Sequence, residues 1–131
     1  MPAPSPAERD ALLTAFSKAL FKRDVDAIYR TVTPDFVWRL PIGPNVPNAR
    51  EIGSPEQLAA YFAERERMYD GMRFHDVVYH HAAEATFMTF RVTATRKDGG
   101  APVDADGMER YLFRDGRIAL KDAYWKRIAM E

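Results

Sequence analysis

At Gly71 the spacing of apolar residues changes from helical to extended, which confines the chain to helices first and a run of strands after them. Upstream, Ser5-Pro6-Ala7-Glu8 supplies a hydroxyl cap, a proline at the first helical position and a carboxylate three residues after the cap. Leu12, Leu13, Phe16, Ala19 and Leu20 follow at three- and four-residue spacing, so a helix with one apolar face is predicted to about Phe21. Asp24 caps a short second helix carrying Ala27, Ile28 and Val32, which Pro34 ends because the residue before a proline is pushed out of helical geometry. Ser54-Pro55-Glu56-Gln57 repeats the cap-then-proline signal and opens a third helix to about Asp70, with Leu58, Tyr61, Phe62, Arg65 and Tyr69 along one side.

Past Gly71 four strands are predicted: Arg73 to His81, Ala85 to Arg96, Val103 to Arg114 and Arg117 to Lys126. A fifth, Phe36 to Leu40, lies between the second and third helices and is ended by Pro41. Pro41 to Gly53 holds three prolines and two glycines and is predicted as an irregular loop over the mouth of a cavity. This order describes an α+β domain with helices on one sheet face. At 131 residues and 47% apolar content, residues 5–131 make one domain behind a four-residue tail.

Nineteen Lys and Arg balance nineteen Asp and Glu, so the long-range field that gathers phosphate backbones or acidic membranes is missing, and no nucleic-acid or membrane partner is expected. With no cysteine there is no disulfide, thiolate metal site or thiol nucleophile, which agrees with a cytoplasmic home. The first ten residues carry no basic start followed by an apolar core, and no run reaches the roughly 18 apolar residues that cross a bilayer. No phosphate loop, dinucleotide fingerprint or nucleophile elbow occurs, so no cofactor is expected.

The turn Arg114-Asp115-Gly116-Arg117 decides where Glu109 looks. A two-residue turn would set Arg114 opposite Arg117, Glu109 opposite Asp122 and Arg110 opposite Lys121, placing like charges together three times. A three-residue loop with glycine in the left-handed region instead pairs Phe113 with Arg117, Tyr111 with Ala119, Leu112 with Ile118, Arg110 with Leu120 and Glu109 with Lys121. Charge and size favour the second register. Glu109, Tyr111, Phe113, Ala119, Lys121, Ala123 and Trp125 then share one face, and Met108, Leu112, Ile118, Leu120 and Tyr124 the other. Both faces are apolar enough to need cover. One is expected to carry the helices and a cavity, the other a second copy of the chain, packed through Met108, Leu112, Leu120 and Tyr124.

The order of elements, the ending "FRDGRIALKDAYWK" from Phe113 to Lys126 and the stretch "RDVDAIYRTVTPDF" from Arg23 to Phe36 resemble the SnoaL-like and ketosteroid-isomerase-like proteins of the nuclear transport factor 2-like superfamily. The resemblance covers nearly the whole chain and implies a cone-shaped α+β barrel, in which a curved antiparallel-rich sheet and three helices enclose an apolar pocket, usually as a dimer. It does not imply one reaction, because the fold hosts many. Set against the isomerases, Leu40 stands where their general-base aspartate lies, Phe16 where an oxyanion-binding tyrosine lies, and Glu109 where a neutral carboxylic acid donates to the oxyanion. Set against polyketide cyclases and limonene-type epoxide hydrolases, Ala123 replaces an aspartate and Gly107 an arginine. Steroid isomerisation therefore lacks its base and one of its donors.

Glu109 with Lys121 is the candidate reactive pair. Desolvation raises a carboxylate's pKa and a nearby ammonium lowers it, so the two could share a proton, or simply hold strand register as an ion pair. Phe16, Trp38, Leu40, Tyr61, Phe62, Tyr69, Tyr111, Ala123 and Trp125 are the expected ligand-binding residues, and core packing is the plainer account of the aromatic ones. His80 and His81 face opposite sides of a strand. His75 and His81 share a parity but lie about 20 Å apart, so no metal site is expected, and the histidines read as strand-surface or interface residues or, for one of them, a general base in the pocket. The charge runs Arg65 to Met68 and Arg96 to Asp98 read as solvated surface. Two functions remain open: proton-transfer chemistry of isomerase, cyclase or dehydratase type on a small hydrophobic carbonyl compound, and non-catalytic binding or scavenging of such a ligand.

Overall fold

The computed structural model describes residues 3–45 and 47–127; residues 1–2, Val46 and 128–131, which include half of the expected tail and the end of the expected domain, lie outside the described residues. Helix α1 spans Pro6–Phe21 and begins as its sequence demands. The Ser5 hydroxyl accepts the Glu8 N–H at 3.2 Å, and the Glu8 carboxylate accepts the Ser5 N–H at 3.0 Å. Asp24 caps α2, Val25–Tyr29, by accepting the Ala27 N–H at 3.1 Å. Val32, expected to end that helix, instead opens strand β1, Val32–Asn45, where it pairs with Ile118. β-Branched Thr31, Val32 and Thr33 suit an extended backbone better than a helical one. Helix α3 spans Pro55–Met68 and is capped by Ser54, whose hydroxyl accepts the Gln57 N–H at 3.1 Å.

The remaining strands are β2 (Ala49–Ile52), β3 (Tyr69–His81), β4 (Ala85–Arg96), β5 (Val103–Arg114) and β6 (Arg117–Arg127). They form one curved sheet in the order β2-β1-β6-β5-β4-β3, in which β1 and β6 run parallel and all other neighbours antiparallel. The helices lie on one face. Leu13 and Phe16 of α1, Ile28 of α2, and Leu58 and Phe62 of α3 share a core with Phe36 and Trp38 of β1, Val92 of β4 and Ile118 of β6. Among the described residues no helix is long and apolar enough to cross a membrane.

The proline-rich stretch is not an irregular loop. β1 continues through Pro41 and Pro44, and β2 folds back on it, pairing Leu40 with Arg50 and Asn45 with Ala49. Past Arg39 the strand has β2 as its partner and no longer pairs with β6, so a missing proline N–H breaks no ladder on that side. Gly43 marks the closest approach: a Cβ there would lie 2.5 Å from the carbonyl carbon of Ala49.

The β5–β6 hairpin also departs from the expected register. Arg114 pairs with Arg117 across a two-residue turn in which Asp115 and Gly116 have φ of 54° and 73°, the form whose twist matches the flanking strands. Phe113 pairs with Ile118, but Leu112 pairs with Leu120, so Ala119 is an extra, unpaired residue. Arg114 still faces Arg117, but the bulge relieves the two other like-charge pairings, Glu109 with Asp122 and Arg110 with Lys121, that a regular two-residue hairpin would impose. Arg110 now faces Asp122, with nitrogen and oxygen 3.2 Å apart, Tyr111 faces Lys121, and Glu109 faces Ala123. Ile118, expected on the outer face, is fully buried in the core, and Ala119 does not stand beside Tyr111.

A bulge in β3 changes the histidine geometry as well. His75 pairs with Arg91 and His81 with Thr86, and the extra residue between His75 and Val78 puts the two rings on opposite faces despite their common sequence parity. Asp76, at φ 55°, takes up the distortion. His81 bonds Asp10 and Thr86, His80 bonds Thr89, and His75 bonds Thr93. Among the described residues no three His, Cys, Asp or Glu side chains stand close enough to hold a metal.

Candidate functional site

Lys121 is built into the sheet between two aromatic neighbours, because β6 pairs with β1 on one side and β5 on the other. Its direct partners are Trp38 and Tyr111. All three side chains are buried on the helix-covered face. Glu109 lies one pair further along, opposite Ala123, whose small side chain leaves the carboxylate room to lean toward Lys121. The bulge at Ala119 shifts the expected pairing of Glu109 by two residues, and a shift of two preserves the face. Acid and amine therefore meet on the diagonal, with Lys121 Nζ 3.6 Å from Glu109 Oε2.

Both groups are buried, at 3% exposure each. The Tyr111 hydroxyl donates to Glu109 Oε1 at 2.7 Å, so each carboxylate oxygen has a partner. Burial, with the Glu109 carboxylate beside it, holds the Tyr111 hydroxyl well above its usual pKa, so it remains a donor. Burial lowers the Lys121 pKa; the Glu109 carboxylate opposes that shift and the Arg65 guanidinium adds to it. Lys121 Nζ also lies 5.3 Å from the centroid of Phe16 and closer still to Trp38. The trio of acid, amine and phenol can hold a proton and hand it on, because loss of a proton from Lys121 is made easier and loss from Tyr111 harder.

These three side chains form part of the floor of a cavity of about 1320 Å³ that opens to solvent between the end of α1, the end of α3 and the start of β3. The volume exceeds the roughly 300–1,000 Å³ usual for small-molecule sites, so it includes a wide mouth. Met88 and Tyr79 extend the floor, and Met72 and Phe74 of β3 form one wall.

Among the residues expected to bind ligand, Tyr69 and Tyr111 border this cavity together with Glu109 and Lys121. Phe16, Trp38, Leu40, Phe62 and Ala123 are buried in the packing behind it. Tyr61 is half-buried between Trp38, at 5.3 Å between ring centroids, and the guanidinium groups of Arg50 and Arg65. Trp125 packs edge-on to Phe90, over Gly107, where a Cβ would lie 2.3 Å from the Phe90 ring. The cavity does not lie in the space expected between Tyr111 and Trp125, but toward α1 and β3.

Arg65 and Glu66, whose charge run reads as solvated surface in the sequence, border the cavity, as do Lys18 and Phe21. The signal for Arg65 is its place on the apolar side of α3, at helical spacing from Tyr61, Phe62 and Tyr69. No comparable signal marks Lys18 or Phe21, which adjoin the cavity only because α1 ends above β3.

The SnoaL-like domain model matches residues 13–121, which include the second half of α1, all of α2, α3 and β5, and both Glu109 and Lys121. Comparison with curated proteins finds no match. Among solved structures, an NTF2-like protein from Burkholderia xenovorans superposes with a TM-score of 0.77 at 17% identity, over 93% of this chain and 92% of that one. A protein from Xanthomonas campestris pv. campestris with a provisional polyketide cyclase name gives 0.70 at 18% identity, over 92% and 91%. TerC, co-crystallised with polyporic acid, gives 0.72 at 15% identity, over 91% and 92%. At such identities the likeness shows the fold, and the family match rests on the sequence itself. With most of the chain matched, including the bulge at Ala119 and every residue that borders the cavity, the chain belongs to the SnoaL-like domain family.

Proposed function

We propose that the cavity binds a small hydrophobic carbonyl compound and that Glu109 and Lys121 transfer a proton on it, in chemistry of the isomerase, cyclase or dehydratase type. The observation that carries this reading is a buried carboxylate, amine and phenol, linked within 3.6 Å, beside Met88 and Tyr79 on the floor of a solvent-open cavity. Such a trio supplies an acid or base of shifted affinity and a hydrogen-bond donor for a developing oxyanion. The polyketide cyclase name and the polyporic acid complex of the structural neighbours support a small organic ligand by analogy of fold. The test is solvent deuterium exchange at the α-carbon of enolisable aromatic ketones, followed by NMR. Exchange that titrates with one group and is lost in Glu109→Gln is expected; binding without exchange would leave the second reading.

That second reading is a ligand-binding or scavenging module, and one observation favours it. Both oxygens of Glu109 are already engaged, by Tyr111 and Lys121, as a purely structural pair would be. We further infer a homodimer through the outer sheet face. Tyr124 and Met108 are 53% and 37% exposed there, with Leu112 and Leu120 half-buried beside them. Sedimentation of Tyr124→Arg as a monomer, with the unmodified chain sedimenting as a dimer, is the expected outcome.

A further inference from the structure

The chain carries no net charge, yet the mouth of its cavity does. Six cations border the cavity around its opening: Lys18, Lys22 and Arg23 from the end of α1, Arg65 from α3, Arg73 from β3, and Lys97 from the turn after β4. Two carboxylates, Glu66 and Asp70, stand against them. Glu66 is engaged by Arg23 at 3.2 Å. Lys18, Lys22, Arg73 and Lys97 make no ion pair among the described residues, and Arg65 lies over the Tyr61 ring. The favourable effect of a cation on a helix C-terminus accounts for Lys18 and Lys22 but not for Arg73 or Lys97, which reach the same opening from a strand and a turn. Between the cations lie exposed aromatic surfaces: Phe21 is 87% exposed and Phe74 39%. Deeper in, Glu109 and Lys121 neutralise each other, and the floor around them is Met88, Tyr79 and Tyr111. Charge is thus concentrated at the rim and apolar surface below it.

We propose that the ligand is an amphipathic organic anion, an apolar body carrying a carboxylate or an equivalent acidic group. Its charged end stays among the rim cations and its apolar end reaches the floor beside Glu109 and Tyr111. Such a ligand gains from the rim field during approach and from desolvation of its body once seated. The assignment rests on the cavity being the ligand site, as proposed above, and adds to it a charge and an orientation.

The experiment compares two fluorescent probes of nearly the same shape, anionic 1-anilinonaphthalene-8-sulfonate and neutral N-phenyl-1-naphthylamine, by titration at low and high salt. Lys18→Glu/Lys22→Glu/Arg73→Glu is titrated beside the unmodified protein. The anionic probe is expected to bind the unmodified protein at least about tenfold more tightly at low salt and to lose most of that advantage at about 1 M salt, where the Debye length falls to about 3 Å. It is expected to lose it equally in the charge-reversed protein, with the neutral probe unchanged. Equal, salt-independent binding of both probes overturns the charge assignment and leaves the cavity reading intact. A salt-dependent anionic preference that survives charge reversal places the probe elsewhere and also overturns it. If neither probe binds, the cavity reading falls and this one with it.

Discussion

Lys121 Nζ sits 3.9 Å from the centroid of the Trp38 ring and 3.6 Å from the Glu109 carboxylate. A desolvated ammonium over an indole face gains about 2 kcal/mol, which offsets part of what burial costs it. Removing one member of a buried pair leaves the other charge uncompensated. Lys121→Met is therefore expected to destabilise the fold by about 3–5 kcal/mol, whereas Lys121→Met/Glu109→Gln should recover a large part of that loss. Urea unfolding of the two single variants and the double gives the coupling directly, and additive losses would show that the two side chains act independently.

The same lysine sets a pH dependence. Its native pKa lies below the usual 10.5, so as pH rises through the lowered native value the native amine releases a proton that the unfolded chain still holds. Stability then increases with pH, because the unfolded state binds more protons. The gain runs upward from the native Lys121 value until Tyr111 enters. The Tyr111 pKa is raised above 10.0, so above that pH the unfolded tyrosine ionises first and stability falls. As the pH approaches 10.0 from below, unfolding free energies should rise more steeply for the unmodified chain than for Lys121→Met.

Arg9 fixes α1 to the β3–β4 turn. Its guanidinium donates to the carbonyls of Pro4 at 2.7 Å, Ala82 at 2.6 Å, Ala83 at 2.8 Å and Ala85 at 3.1 Å, and to the Thr86 hydroxyl at 3.2 Å, at 4% exposure. Hydrogen bonds to a charged group contribute about 1.5–3 kcal/mol each, and a lysine cannot reproduce the planar fork. Arg9→Lys is expected to lose at least about 2 kcal/mol in thermal or urea unfolding. Its helix content by circular dichroism should remain, because the Ser5–Glu8 cap is untouched.

Local signals make the helix starts and the four long strands legible: cap-then-proline at Ser5 and Ser54, and the period of two past Gly71. The inward face of Glu109 and Lys121 is legible too, although their pairing is not. Side-chain direction repeats every two residues, so an error of two in register leaves the face unchanged. The bulge at Ala119 has no local mark and exists because a tight turn and opposite-charge pairing must both be satisfied. The β1–β2 hairpin is hidden for a similar reason: prolines forbid a stretch paired on both sides but not one paired on one side only, and only the tertiary register shows that β1 leaves β6 after Arg39. The cavity mouth joins residues 18–23, 65–75 and 97, and no periodicity connects those segments.

Gly107 has a steric role that its neighbours in β5 lack. It pairs with Phe90 on one side and Trp125 on the other, and the Phe90 ring lies across its face, so that a Cβ would come within 2.3 Å of ring carbon Cε2. Phe90 is itself held edge-on by Phe74 at 5.1 Å and by Trp125 at 6.5 Å, and so has little freedom to withdraw. Gly107→Ala should therefore act as an overpacked core, with a loss of about 1–3 kcal/mol in spite of alanine's lower conformational entropy in the unfolded chain. Phe90→Leu removes the clash at the cost of some buried area, and Gly107→Ala in that background should cost less than about 1 kcal/mol. A loss of the same size in both backgrounds, measured by urea unfolding, would assign the glycine's role to its backbone and not to the ring above it.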